Sequence, residues 1–410
     1  MSMRSHAQTI IDAAIHAALP DTAVKRALSD YTFAPGRVVL VAAGKAAWQM
    51  AACAAKLLGP RIDAGVVVTK YDHAKGPIAN FQIFEAGHPV PDENSFLGTR
   101  AAMNLVSGLT AQDTVLFLLS GGGSALFEQP LISPDELTDL TGQLLACGAD
   151  IVEMNTLRKR ISAVKGGRFA QLCAPAHVFS IVLSDILGDP LDMIASGPVC
   201  PDSSTCQQAR AIVEKYSLSL SPTALSLLEQ ETPKHLDNVT TRITGSVGQL
   251  CASAADTCRS LGYEPVILTD RLDCEARHAG RFLGSIARTH AGKGRRLAFI
   301  AGGETVVKLT GTGLGGRNQE LALAAAELLD GLDEVLVFSL GSDGTDGPTD
   351  AAGGMVDGTT CAALAARGLR VHDVLADNDA YHALKAVDGL IFTGPTGTNV
   401  NDVSVLLIGG

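Results

Sequence analysis

Short apolar runs rich in β-branched residues alternate with Ala/Leu-rich stretches of helical period along almost the whole chain. Residues 38–43 read VVLVAA and residues 115–119 read VLFLL, with no polar interruption. Runs this short and this uniformly apolar suit strands covered on both faces, as in parallel sheets flanked by helices. Strands are expected at 38–43, 64–69, 82–85, 114–119 and 177–183, with helices through 46–58, 96–109, 134–147 and 150–164. A polar, weakly patterned stretch at 217–238 reads as a linker. Alternation then restarts, with strands at 241–244, 265–269, 296–301, 334–340 and 403–408 and helices at 249–261, 275–288 and 318–329. Residues 304–309 mix polar and apolar side chains and are expected as an antiparallel or edge strand. The predicted fold class is α/β: two α/β domains with mostly parallel sheets around a cleft, over residues 1–235 and 240–410. Ligands of such sheets gather at the carboxyl ends of strands, so the polar, glycine-rich segments are read there.

Composition removes several classes of function. The 410 residues carry a formal charge of −11, which argues against broad binding of a nucleic-acid backbone. Apolar runs fall far short of the ~18 residues of a membrane span. Residues 1–19 read as an amphipathic helix, with Ile10, Ile11, Ala14, Ile15 and Ala18 on one face, and lack the unbroken apolar core of a signal peptide. The nine cysteines are odd in number and form no C-x-x-C pair, so neither a disulfide framework nor a zinc ribbon is indicated. Scattered reduced thiols suit a cytoplasmic protein. The 43 glycines follow no three-residue period, so they belong in loops where backbone approaches something closely.

Seven segments, most of them near expected strand ends, can carry chemistry. Ser120-Gly121-Gly122-Gly123-Ser124 follows a buried strand, and three glycines let backbone N–H groups converge on a phosphate or carboxylate. The plain alternative is a tight strand-to-helix turn. Lys45 stands just past the strand at 38–43, in a loop that is not a Walker A sequence. Residues 153–168 hold five cations, read either as a solvated face or as a basic wall for an acidic substrate. Asp185 and Asp189 end another strand, and either suits Mg²⁺, which takes few carboxylates, or an Asx turn. Gly311, Gly313 and Gly316 match G-x-G-x-x-G, with Asp343 further on, which keeps a dinucleotide site open. Against it, the preceding residues Glu304, Thr305 and Lys308 do not form a buried central strand, and Arg317 at the helix entrance suits an anion. The loop 339–350, with Asp343, Asp346 and Asp350, reads as a metal- or polyol-binding loop, and residues 393–402 form a similar one.

Taken in order, these segments resemble the class II glycerate kinases, whose C-terminal part is called the MOFRL domain. The matching stretches are 120–126, 153–167, 184–189 with 196–198, 302–305, 315–320, 343–348 and 394–401, within a likeness that runs from about residue 38 to the end. The resemblance implies a Rossmann-like N-terminal domain, a MOFRL-type C-terminal domain, and ATP-dependent phosphorylation of D-glycerate, usually at the 2-hydroxyl, with a divalent metal such as Mg²⁺. It implies Lys45 and Arg317 as catalytic residues. Asn155, Lys159, Asp185, Glu304, Asn318, Asp343, Asp346, Thr398 and Asn399 become candidates for the substrate or nucleotide loops. Arg160 stands where a histidine is common in the family, and Ser342 where a threonine is common. Assembly as a homodimer is a further expectation. The competing functions are an NAD(P)H-dependent hydroxypyruvate reductase, which needs a dinucleotide site at the 311–316 loop, and a non-catalytic binder of sugar acids.

Overall fold

The computed structural model describes residues 2–410 and divides into two compact units. One is Ala23–Thr244; the other joins the residues up to Thr22 to Gly245–Gly410. This departs from the expected division at 1–235 and 240–410 in two places. The N-terminal helix Met3–Ala18 belongs with the C-terminal unit, where Ser253 donates to Ala13 O at 3.0 Å and the His6 ring meets the Tyr263 hydroxyl at 2.9 Å. The strand at 239–245 completes the first sheet rather than opening the second.

The first unit holds six strands: β1 (Val38–Ala43), β2 (Ala64–Lys70), β3 (Phe81–Ala86), β4 (Thr114–Leu119), β5 (His177–Leu183) and β6 (Val239–Gly245). Their order is β3-β2-β1-β4-β5-β6. The β1–β2, β1–β4, β2–β3 and β4–β5 pairings are all parallel. Period-two alternation explains why β1 and β4 must be central. Val39, Val41, Val115 and Phe117 pack into one apolar cluster, while Val38, Leu40, Leu116 and Leu118 pack into another. Both faces are covered, so the two strands carry no polar face at all. The chain winds outward in opposite directions from β1 and β4, which makes their carboxyl ends a topological switch point.

The second unit holds β7 (Glu264–Leu272), β8 (Leu297–Gly303), β9 (Val335–Gly341), β10 (Gly353–Asp357), β11 (Leu390–Ile391) and β12 (Asp402–Ile408). Their order is β11-β10-β9-β12-β8-β7. Here the expectation of a mostly parallel sheet fails. Only the β7–β8 pairing is parallel; β12 runs antiparallel to both β8 and β9, and β10 runs antiparallel to β9 and β11. The link from β9 to β10 has no helix, and a parallel return needs a crossover. Residues 304–309, expected as a strand, are irregular apart from an isolated bridge at Val306.

Candidate active site

In the first unit, two loops leave the switch point side by side and are stitched together through backbone. The Lys45 N–H donates to Gly121 O at 2.9 Å, and the Ala46 N–H donates to Ser120 Oγ at 3.0 Å. The Ser120 hydroxyl is therefore part of the scaffold. Thr69 Oγ1 donates to Gly44 O at 3.1 Å, and His73 Nδ1 lies 2.9 Å from Lys45 O, so the lysine backbone is held from both sides. Its ammonium is half-buried and, among the described residues, meets no carboxylate or other hydrogen-bond partner.

The glycines beyond β4 are there because nothing larger fits. A Cβ on Gly121 would lie 2.2 Å from Asp185 Oδ2, and one on Gly123 would lie 2.7 Å from Ala195 Cβ. Gly122 has φ of 85°, and its Cβ would meet the His88 ring at 3.0 Å and Lys45 Cγ at 3.2 Å. Among the described residues, the N–H groups of Gly121, Gly122, Gly123 and Ser124 donate to no protein acceptor. Unpaired backbone donors beside an unpaired ammonium form a site for an anion. His88 belongs to this site and was missed by sequence reasoning. Burial holds its pKa below the usual value, helped by the nearby charges of Lys45, Lys70 and His73, so it is neutral at pH 7. Its one available signal was position, just beyond the carboxyl end of β3.

The basic segment 153–168 is not the wall it resembles in sequence. Lys159 is buried against Asp202 at 3.1 Å and Asp192 at 3.2 Å. Arg160 is spent on Glu231, Ser204 and the carbonyl of Thr156. Lys165 is fixed by Glu128 and Ser124 O. Lys159 thus braces the fold rather than a substrate. Asn155 does face the loop chain: it accepts from Ser196 Oγ at 2.9 Å, and Ser196 Oγ lies 3.5 Å from Ser124 Oγ. Asp189 sits in the left-handed region with φ of 53°, and its Oδ1 is buried without a hydrogen-bond partner.

In the second unit, Arg317 opens the helix Arg317–Leu329. Its Nε and Nη2 grip both oxygens of Asp402 at 2.6 and 3.0 Å, and Nη1 reaches Glu304 at 2.9 Å. These carboxylates raise its pKa despite burial, so it stays charged and fixed in direction. Asp346 accepts from the Asn318 and Gln319 N–H groups at 3.1 and 2.9 Å and so caps the same helix. Burial pushes the Asp346 carboxyl up to about 6. Its stabilising contribution is complete below the unfolded-state value of 3.8 and is lost as pH rises through about 6. In denaturation of the wild type and Asp346→Asn, the wild-type advantage should shrink by up to about 3 kcal/mol between pH 4 and 7. A difference flat in pH would place that carboxyl in the ordinary range.

A cavity of about 870 Å³ lies in this unit, lined by Thr305, Arg317, Asp343, Asp346 and the 311–316 loop. Asp343 holds the Thr345 N–H at 3.0 Å in an Asx turn. Asn318 is buried, bonded to Asp346 and Ser339, so it supports the helix start instead of facing the cavity. Thr398 is buried too, and its hydroxyl donates to Ala18 O at 2.8 Å, which ties down the N-terminal helix. Asn399 is exposed. The glycines of G-x-G-x-x-G have a packing explanation. A Cβ on Gly311 would lie 2.3 Å from Asp377 Cα, one on Gly313 2.4 Å from Asp379 Cβ, and one on Gly316 2.2 Å from Asp346 Cγ. They let the loop lie on other backbone, and no buried strand runs straight into them, so the dinucleotide fingerprint fails.

Comparison with known proteins agrees with this layout. Residues 6–229 match a family described as a domain of unknown function, DUF4147, and residues 297–402 match the MOFRL family. The chain is 52% identical to the D-glycerate 2-kinase of Thermotoga maritima, over 99% of both sequences. It is 39% identical to a protein of Agrobacterium vitis named as a hydroxypyruvate reductase, over 100% of this chain and 95% of that one. A crystal structure of glycerate kinase from Thermotoga maritima superposes with a TM-score of 0.93 at 51% identity, covering 99% of each chain. With its two halves matched in order and its length matched end to end, the chain belongs to the class II glycerate kinase family, in which a DUF4147 region is followed by a MOFRL region.

Proposed function

We propose that the protein transfers the terminal phosphoryl group of ATP to the 2-hydroxyl of D-glycerate. The observation that carries this reading is the pairing at the switch point of an ammonium without a counter-ion and four backbone N–H groups without acceptors among the described residues. Phosphoryl transfer asks the protein for positioning and charge stabilisation rather than for a nucleophile. The N–H groups of Gly121 to Ser124 bind phosphoryl oxygens, and Lys45 stabilises the charge that develops as the group transfers. Neutral His88, against the same glycine, keeps an imidazole nitrogen free of added positive charge. In the C-terminal unit, Arg317 contributes a fixed guanidinium and Asp343 a carboxylate at the cavity wall.

Mg²⁺ fits the residues present. Among the described residues no three His, Cys, Asp or Glu gather into a metal cage. Mg²⁺ needs none, since it binds through one or two carboxylates, waters and substrate phosphates. Asp185, whose carboxylate lies against Gly121, and Asp189, with its unpaired buried oxygen, are the groups that would hold it. When bound, the ion neutralises phosphate charge. The nine cysteines, none in a disulfide, suit a reducing cytoplasm.

One preparation tests the activity against its rival. ADP release with ATP, D-glycerate and Mg²⁺ is expected, with no NADH oxidation on hydroxypyruvate. Metal-independent NADH consumption without ADP would favour the reductase reading that the Agrobacterium vitis name carries.

A further inference from the structure

Five cations lie between residues 153 and 168, and four are consumed by the fold. Lys159 and Arg160 face buried carboxylates, Lys165 faces Glu128, and Arg168 donates to the carbonyls of Arg160 and Ser162. Arg158 is the exception. It is half-buried and, among the described residues, no hydrogen bond or ion pair holds its guanidinium. Burial lowers its pKa, and the charge of Glu128 offsets this only in part. A guanidinium with five donors gives up water there and, among the described residues, gains no hydrogen bond in return.

A second donor nearby is in the same condition. Asn155 is 2% exposed, and its Nδ2 has as its acceptor only the thioether of Met193 at 3.6 Å. Asn155 and Arg158 are three apart on the helix Ile151–Arg160 and so share a face. Asn155 connects through Ser196 to Ser124, the last residue of the glycine loop. Lys165, which senses the charge of Arg158, donates to Ser124 O at 2.6 Å. Two desolvated, under-used donors therefore stand at the far end of the same loop whose near end faces Lys45.

We propose that Arg158 and Asn155 form an oxyanion subsite that takes the carboxylate of the acceptor acid. The inference rests on the kinase reading for the identity of that acid. A carboxylate offers two coplanar oxygens, and a guanidinium matches them with two parallel N–H groups. The amide of Asn155 supplies a further donor. The subsite would then select a hydroxy acid over the corresponding uncharged polyol.

The test uses the full chain, Arg158→Gln and Arg158→Lys. With Mg²⁺ and ATP, Arg158→Gln should raise the KM for D-glycerate by about 10–100-fold, the loss expected for a hydrogen bond to a charged group. The KM for ATP should stay within about threefold, and Arg158→Lys should recover part of the loss. Discrimination between D-glycerate and glycerol should collapse in the same proportion. Thermal stability should hold or rise, since the charge of Glu128 offsets the burial of this cation only in part. Calorimetric titration with D-glycerate, without ATP, separates the two readings. Binding to the wild type but not to Arg158→Gln supports the subsite even if no turnover follows. Absence of binding to the wild type overturns it, as does an unchanged D-glycerate KM in the variant. A rise in the ATP KM alone assigns the subsite to phosphate and overturns the carboxylate assignment. Lower stability with equal losses on both substrates reduces Arg158 to a partner of Glu128.

Discussion

Lys45→Ala should lower turnover by about 10²–10³-fold while the KM for D-glycerate moves little. That is the usual effect of removing one group that stabilises developing charge, about 2.7–4 kcal/mol. The side chain has no structural duty to lose. Its ammonium touches no described acceptor, and the contacts that fix residue 45 all run through its backbone: N–H to Gly121 O, and carbonyl to His73. Alanine keeps those bonds, so the variant should fold with an unchanged melting temperature. Removing the charge should also relieve His88, whose pKa the lysine helps to depress. The His88 titration, followed by NMR, should therefore move upward in Lys45→Ala. Near-normal turnover would take Lys45 out of the mechanism, and an unmoved His88 would mean the two side chains are not electrostatic neighbours.

The first sheet was legible in the sequence because its central strands are written in one physical language. VVLVAA and TVLFLL are apolar on both faces, and β1, β4 and β5 span the predicted residues. Strand direction in the second sheet is written in no such pattern. A buried strand such as DVSVLLI reads alike whether its neighbours run with it or against it, and β12 is antiparallel to both. The glycine loop and Lys45 were legible because both follow strongly apolar strands. The roles within residues 153–168 were not. On a helix each step turns the side chain by about 100°, so Lys159 enters a buried ion-pair network while Arg158, its neighbour, makes no hydrogen bond or ion pair among the described residues. Gly311 and Gly313 were misleading for another reason. The backbone they accommodate, at Asp377 and Asp379, lies more than sixty residues away in sequence.

Gly122→Val should abolish activity, and two separable costs act there. Gly122 adopts φ of 85°, a region that disfavours any side chain and a β-branched one most. That strain is worth about 1–3 kcal/mol and falls on stability. The second cost falls on function. A Cβ at residue 122 points at the His88 ring and at Lys45 Cγ, into the space beside the unpaired N–H groups. Valine's two methyls would occupy the volume an anion needs. Gly108 supplies the control, since it has nearly the same backbone, with φ of 73°, and no heavy atom within 4 Å of its would-be Cβ. Gly108→Ala and Gly122→Ala should therefore lose similar stability. Only the change at 122 should lower the affinity for ATP and the rate, with valine worse than alanine. Melting temperatures and steady-state kinetics on the three variants and the wild type decide the matter. Equal activity in Gly108→Ala and Gly122→Ala, with an active Gly122→Val, would show that the loop turns the chain and binds nothing. A loss confined to the 122 variants means that the open space beside His88 and Lys45 is where the phosphoryl group sits.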